Sequence, residues 1–403
     1  MPGVYEMLSK PNGKSTTGAF GPITLVVQAL MLFVLFFSEY DLTDIKQLDS
    51  SSIYNFYVGV ALMMFVGFGY LMTFLKAYGL GAVGYTMYIT CLGVEFAMIV
   101  ENMMVGGLVI KVDFMDLLNA NFAVAAVLIS FGGLIGKVSP TQIIVVTLVE
   151  LTLYCANKVY FLTNLLDIKD CGGTIIIHVF GAYFGLAACA TLGPALDEKY
   201  NGSSYNSDLF SLIGTVFLWL FWPSFVAGGL PAGTEGHGIA LVNTVLALLA
   251  STVVTFGIMP LISGSRLGTV PVQNATLAGG VSIGATANLA MGPFAAILIG
   301  SLAGLISCFG FVKPLIPSKY DTCGINNLHG MPGIFGGLIS ALLPPLIGAS
   351  EVKPLAQIAG LVGTLVVAGS TGAATGFILK AMGSPEAAFN DETFWDCADD
   401  KPV

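Results

Sequence analysis

The sequence predicts an all-α polytopic membrane protein. Its expected architecture is twelve transmembrane helices, two inverted five-helix repeats plus an N-terminal and a C-terminal helix, around a central pore. Three observations predict it. Only 10% of the 403 residues are charged and the mean hydropathy is +0.85, whereas soluble domains carry roughly 25% charged residues. Apolar runs of about 20 residues, the length that crosses a bilayer, recur along the whole chain. One motif occurs twice, Asp170-Cys-Gly-Gly-Thr-Ile-Ile-Ile-His178 and Asp321-Thr-Cys-Gly-Ile-Asn-Asn-Leu-His329, with Asp eight residues before His in both (178 − 170 = 8; 329 − 321 = 8).

The chain opens with a polar segment, residues 1–19, that has no cleavable signal; the first apolar run is too long for a signal core and reads as a retained span. The predicted spans are 20–38, 52–76, 79–104, 115–136, 139–166, 172–194, 208–230, 238–264, 270–290, 291–314, 323–348 and 354–381. Between the ninth and tenth the chain hardly becomes polar, and Pro293 in Ala290-Met291-Gly292-Pro293 supplies the only stop signal. The channel domain is thus 20–381, with repeat A about 52–194 and repeat B about 208–348. Residues 382–403 form an acidic tail with Asp391, Glu392, Asp396, Asp399 and Asp400, expected to be cytoplasmic and flexible.

Twelve spans put both termini on one side, and Lys and Arg choose it. With cytoplasmic termini the inner segments hold ten basic residues (Lys10, Lys14, Lys76, Lys137, Lys199, Arg266, Lys313, Lys319, Lys380, Lys401) and the outer loops four (Lys46, Lys111, Lys169, Lys353). Ten against four orients both termini inward. Asn201-Gly-Ser203 is a glycosylation sequon that this topology leaves inside and unmodified.

The repeat has a second marker. Asn119-Ala-Asn-Phe-Ala-Val-Ala125 in span four resembles Asn274-Ala-Thr-Leu-Ala-Gly-Gly280 in span nine; their offset is 155 (274 − 119), close to the 151 of the histidines (329 − 178). Each half has five spans, an odd number, so the halves lie in opposite orientations. Each His then lies eight residues, about 12 Å of helix, from an opposite face of the membrane. Both reach the midplane.

An ionisable residue inside a span is a functional candidate. A single buried His can also be a packing residue bonded to a carbonyl. Two in repeat-equivalent positions, in a chain with three His, favour a shared polar centre. Two facing imidazoles can share one proton and offer hydrogen bonds to a small neutral molecule. Asp170 and Asp321 stand where helices start, where a carboxylate caps free N–H groups; a vestibule or proton-relay role is compatible with that. Glu95, Glu101, Glu150 and Lys158 are embedded charges that line vestibules or pair with one another. His237 reads as a solvated loop residue.

Other classes are excluded. The net charge is −9 and the only Arg is Arg266, so no basic patch suggests nucleic acid. The seven Cys have neither metal spacing nor a disulfide framework. No nucleophile elbow, phosphate loop or metal-binding His spacing appears. We expect no enzyme activity, cofactor or metal.

His178-Val-Phe-Gly-Ala-Tyr-Phe-Gly-Leu, Gln273-Asn-Ala-Thr-Leu-Ala-Gly-Gly, the Asp321 to Gly333 stretch and Trp219-Leu-Phe-Trp-Pro-Ser-Phe225 resemble the Rh glycoprotein branch of the ammonium transporter (Amt/Mep/Rh) superfamily. The resemblance runs from roughly Gly18 to Met382. It implies eleven core helices plus an extra N-terminal one, a homotrimer with a pore per protomer, and a plasma-membrane location. It also implies twin pore histidines at His178 and His329, an outer phenylalanine gate at Phe122 and Phe225, and vestibule aspartates at Asp170 and Asp321. The non-Rh transporters stack ammonium on a Trp in the helix matching span five; here the Trp are Trp219, Trp222 and Trp395, none in that span. The implied function is an ammonium/ammonia channel that takes ammonium, with methylammonium as an analogue, and passes ammonia. Rival readings are a carbon dioxide channel, electrogenic ammonium/proton transport, and a non-conducting scaffold or sensor.

Overall fold

Among the described residues twelve long helices carry the fold, and their burial sorts them into centre and rim. The computed structural model describes residues 17–41, 50–106, 109–194, 198–264, 266–383 and 390–397. Most of the expected N-terminal segment and part of the tail lie outside the described residues. The helices are α1 (Thr17–Leu35), α2 (Ile53–Phe74), α3 (Gly79–Val105), α4 (Phe114–Leu134), α5 (Pro140–Leu165), α6 (Thr174–Leu192), α7 (Tyr205–Ala227), α8 (Glu235–Ser263), α9 (Thr269–Ile283), α10 (Pro293–Val312), α11 (Asn326–Ile347) and α12 (Pro354–Ala381). This is an integral, multi-span membrane architecture. Its exposed Leu, Val, Ile and Phe side chains are what a lipid-facing surface requires, since the bilayer is the solvent.

Helix α4 is the centre: 89% of its apolar window is buried, against 6% for α1. Helix α1 lies at the rim, with Met31 packed on Leu92 of α3 and Ile144 of α5. Several helix starts are written in the sequence. Asp113 and Asp116 form a capping box before α4; Ser139 and Gln142 form another before α5, with Pro140 in the first turn. A parallel pairing of Glu39–Tyr40 with Lys111–Val112 ties the loop after α1 to the loop before α4.

The ninth span differs from expectation. Among the described residues, eleven helices are long and apolar enough to cross a bilayer by themselves. Helix α9 has 15 residues, about 22 Å of rise, and ends in a 3-10 turn at Gly284–Thr286 rather than running to 290. Its residues from Gln273 to Ile283 are all buried. A helix enclosed by other helices does not need to match the bilayer thickness. Helix α10 then starts with Pro293 in its first turn.

The tail also departs from the flexible segment expected. Residues 390–397 dock on the bundle: Asp391 accepts from Leu80 N (2.7 Å) and Gly81 N (2.8 Å) at the start of α3, and Trp395 packs on Tyr85 with ring centroids 5.4 Å apart. A Cβ on Gly84 would collide with the Trp395 ring. A carboxylate at a helix N-terminus and an indole over a glycine explain why this short segment is held.

Candidate functional site

The two copies of the motif fold alike. In each, a glycine in the left-handed region, Gly173 (φ +72°) and Gly324 (φ +73°), stands three residues after the Asp. A side chain would be strained in that conformation, and glycine is not. The Asp then reaches over the glycine to the next turn. Asp170 accepts from Thr174 N (2.8 Å), Ile175 N (2.7 Å) and Ile176 N (2.8 Å). Asp321 accepts from Ile325 N (2.7 Å) and Asn326 N (3.0 Å). In both copies the Asp carboxylate thus bonds the free N–H groups of the turn that follows.

Each capped turn is a π-helix, Thr174–Val179 and Asn326–Gly330, and each carries its His. Single π turns inside α-helices often mark functional sites, because the wider turn re-aims a side chain. His178 and His329 meet with Nδ1 to Nδ1 at 3.1 Å, both buried. One of the two nitrogens must donate and the other accept, so both rings cannot be protonated at Nδ1 together. Nε2 of His178 is buried and has no partner among the described residues.

Aromatic rings sandwich the pair. Trp222 stacks on His178 (centroids 5.6 Å, planes 18° apart), His178 on His329 (5.1 Å, 10°) and Phe68 on His329 (6.1 Å, 18°). Trp222 is on α7 and Phe68 on α2, 154 residues apart (222 − 68). That spacing matches the repeat. Extending the repeat search to aromatic positions would have found these two residues in the sequence.

The bracing contacts recur in the same way. Gly172 N donates to Gly284 O beside α9 (3.0 Å), and Cys323 N donates to Gly132 O on α4 (3.2 Å). The donors are 151 apart (323 − 172) and the acceptors 152 (284 − 132). Thr174 Oγ1 donates to Val281 O, and Asn274 Nδ2 to Cys323 O, so α9 braces both motifs. This is why so short a helix is so deeply buried.

On the Asp170 side lies a vestibule of about 200 Å³ lined by Asn119, Phe122, Tyr154, Lys158, Asp170 and Phe225 among others. Phe122 and Phe225 meet edge to face, centroids 5.0 Å apart, and Phe225 also lies 5.9 Å from His178. Phe225 therefore touches both the vestibule and the His pair, and Phe122 packs on it from the vestibule side. On the His329 side a pocket of about 20 Å³ is lined by Phe68, Leu128, Ile129, Leu328 and His329 among others. That is room for about one small molecule.

Burial pushes the Asp170 carboxyl up to about 6, opposed by the backbone N–H groups it accepts from. The Asp321 carboxyl is likewise raised by burial, against the same kind of N–H bonds and the charge of Lys137. In the sequence Lys137 counts only as an inner basic residue, and nothing there marks its place beside Asp321. It is buried at the far end of α4 and donates to Gly133 O (2.7 Å).

The embedded charges expected to line vestibules or pair are also placed. Lys158 pairs with Glu101, and Glu95 accepts from Gln28 (2.7 Å). Glu150 is fully buried beside Ser130, whose Oγ lies 2.6 Å from Glu150 Oε1 and 2.7 Å from Gly181 O. His237 departs from expectation. It sits in the first turn of α8, capped by Thr234 and buried against Phe56 with centroids 4.9 Å apart. Among the described residues no group of three or more His, Cys, Asp or Glu could hold a metal ion.

A bundle of membrane-crossing helices enclosing paired imidazoles between two cavities defines a membrane channel or transporter. Residues 23–385 match the model of the Ammonium Transporter Family. The chain is 36% identical to the ammonium transporter Rh type A of Canis lupus familiaris over 95% of this chain and 98% of that protein. It is 40% identical to the Rh type B of Xenopus tropicalis over 85% and 82%. It superposes on the Rh50 structure of Nitrosomonas europaea, described as one of the Rhesus family of channels, with a TM-score of 0.78 at 33% identity, covering 87% of this chain and 94% of that one. The chain belongs to the ammonium transporter family, in its Rh branch.

Proposed function

We propose that this protein is an ammonium/ammonia channel that strips a proton from ammonium at the vestibule and conducts neutral ammonia past His178 and His329. The observation that carries the proposal is the buried Nδ1 to Nδ1 contact of 3.1 Å between the two histidines. It presents hydrogen-bonding nitrogens in an apolar passage and no fixed anion. Moving a bare ammonium ion into such a medium costs on the order of tens of kcal/mol, whereas a neutral amine costs only about a few kcal/mol per lost hydrogen bond. An ion is therefore rejected where ammonia passes.

In this reading Phe122 and Phe225 form the outer gate, and Asp170 and Asp321 hold the turns that carry the histidines. Ammonia is reprotonated at the far mouth, and flux follows the gradient in either direction. The two halves are inverted repeats, and both termini are cytoplasmic, as the ten-to-four distribution of basic residues favours. The resemblance to the Rh branch implies a homotrimer with one pore per protomer in the plasma membrane, and methylammonium as an analogue substrate.

The test is stopped-flow intravesicular pH on purified protein in liposomes after an ammonium jump. Alkalinisation faster than in empty liposomes, lost in His178→Ala/His329→Ala, is the expected result. Wild-type traces no faster than empty liposomes overturn the proposal; a parallel carbon dioxide jump then tests whether the same apolar pore carries that gas.

A further inference from the structure

The vestibule contains a cation of its own. Lys158 lies on the π-helical end of α5, Asn157–Leu165, and lines the 200 Å³ vestibule with Asp170, Phe122 and Phe225. Its Nζ donates to Glu101 Oε1 on α3. The two side chains are 20% and 16% exposed, so the pair is shielded rather than a loose surface contact. Glu101 also lines a second cavity of about 160 Å³ with Asn102, Asp116 and Asn119. Asn119 lines both cavities. The Lys158–Glu101 pair therefore stands where the two adjoin.

The carboxylates here are not equivalent. Both oxygens of Asp170 are occupied by backbone N–H groups. Glu101 Oε2 is buried and has no hydrogen-bond partner among the described residues. Glu101 is thus the carboxylate with capacity for a cation, and a primary alkylammonium already sits on it. A lysine head group and an ammonium ion share their charge and their N–H donors, so each can replace the other on one carboxylate.

We propose that Lys158 is a tethered competitor of the substrate: its ammonium group occupies Glu101 and so sets the concentration at which free ammonium loads the vestibule. The inference rests on the ammonium-channel reading and names a residue that tunes its substrate affinity. Removing the lysine leaves a shielded carboxylate uncompensated, an unfavourable state that a free ammonium ion relieves.

The experiment is the dependence of ammonium-driven flux on external ammonium concentration in liposomes. For Lys158→Met the half-saturating concentration is expected to fall at least fivefold. A merely structural loss would lower the maximal rate instead. Lys158→Arg keeps the tethered cation and should keep the wild-type value, and Lys158→Met/Glu101→Gln should lose the gain. Lys158→Gln serves in place of a Met variant that fails to fold. An unchanged half-saturating concentration, or a gain that survives without Glu101, overturns the inference. Calorimetric titration of the solubilised protein with ammonium chloride separates the two readings. Binding to Lys158→Met at least fivefold tighter than to wild type, and lost in the double variant, supports the competitor role even if no protein conducts. Conduction by wild type with no such tightening sinks the competitor role alone.

Discussion

His178 and His329 touch through like atoms, Nδ1 to Nδ1 at 3.1 Å, with ring planes 10° apart. One ring must carry its proton on Nδ1, and the other, if neutral, on Nε2. Solid-state nitrogen NMR on protein labelled at histidine should therefore find the two pore rings in opposite tautomers at neutral pH. Two identical tautomers would contradict the contact. Because the rings share one bond, their deletions should not add. We expect His178→Ala and His329→Ala each to lower ammonia flux at least tenfold, and the double variant to be within about twofold of the worse single one.

Phe225 is held by three aromatic neighbours, Phe122, His178 and Trp222, at 5.0, 5.9 and 6.4 Å between centroids. It is 2% exposed. Truncating a fully buried Phe typically costs about 3–5 kcal/mol, and here it also joins the vestibule to the His pair. Phe225→Ala should lower the melting temperature and raise the osmotic water permeability of proteoliposomes. Permeability unchanged from wild type in folded protein would show that the Phe pair does not exclude water.

The reading of the sequence succeeds where the bilayer imposes one answer. Long apolar runs must be helices, because no other segment satisfies its own backbone in lipid, and the predicted boundaries fall within a few residues of the helices. The limits of α9 were misjudged because hydropathy reports apolarity and not enclosure. The 290 end is as apolar as the helix it follows, but its residues form turns. The doubled motif exposed both His and both Asp. The π turns that aim the histidines leave no mark in a one-dimensional pattern, although Gly173 and Gly324 record the turn that precedes them. Lys158 and Glu101 are 57 residues apart on different helices, so their pairing needs the fold. His237 was misread because Glu235-Gly-His237-Gly looks like a loop, whereas Thr234 caps it into a helix.

Asp170 gives a pH test with a defined sign. Burial raises its carboxyl from 3.8 to about 6, so the folded state holds the proton more tightly than the unfolded chain. Its contribution to stability is fully present below about pH 4 and is lost as pH rises through 6. Asp170→Asn cannot titrate. Between pH 7 and pH 4.5 the wild type should gain about 2 kcal/mol on Asp170→Asn, read as a diverging pair of melting temperatures. A difference that stays flat, or that shrinks on acidification, would mean that the three N–H bonds outweigh the burial.

The docked tail makes the last prediction. Asp391 supplies two hydrogen bonds to the first turn of α3 through Leu80 N and Gly81 N, and Asp391 N donates back to Ala77 O (2.8 Å). An N-terminal cap of this kind is worth about 1 kcal/mol, enough to hold or release an eight-residue segment, 390–397, but not to unfold the bundle. Trp395 depends on a different feature, the missing side chain of Gly84. Gly84→Val should therefore expel the indole while leaving α3 intact, and Asp391→Ala should loosen the same segment from its other end. Hydrogen exchange of residues 390–397 should rise in both variants, with a shift of Trp395 fluorescence to longer wavelength measured in a Trp219→Phe/Trp222→Phe background. If Gly84→Val leaves exchange and fluorescence at wild-type values, the tail is not held by this contact.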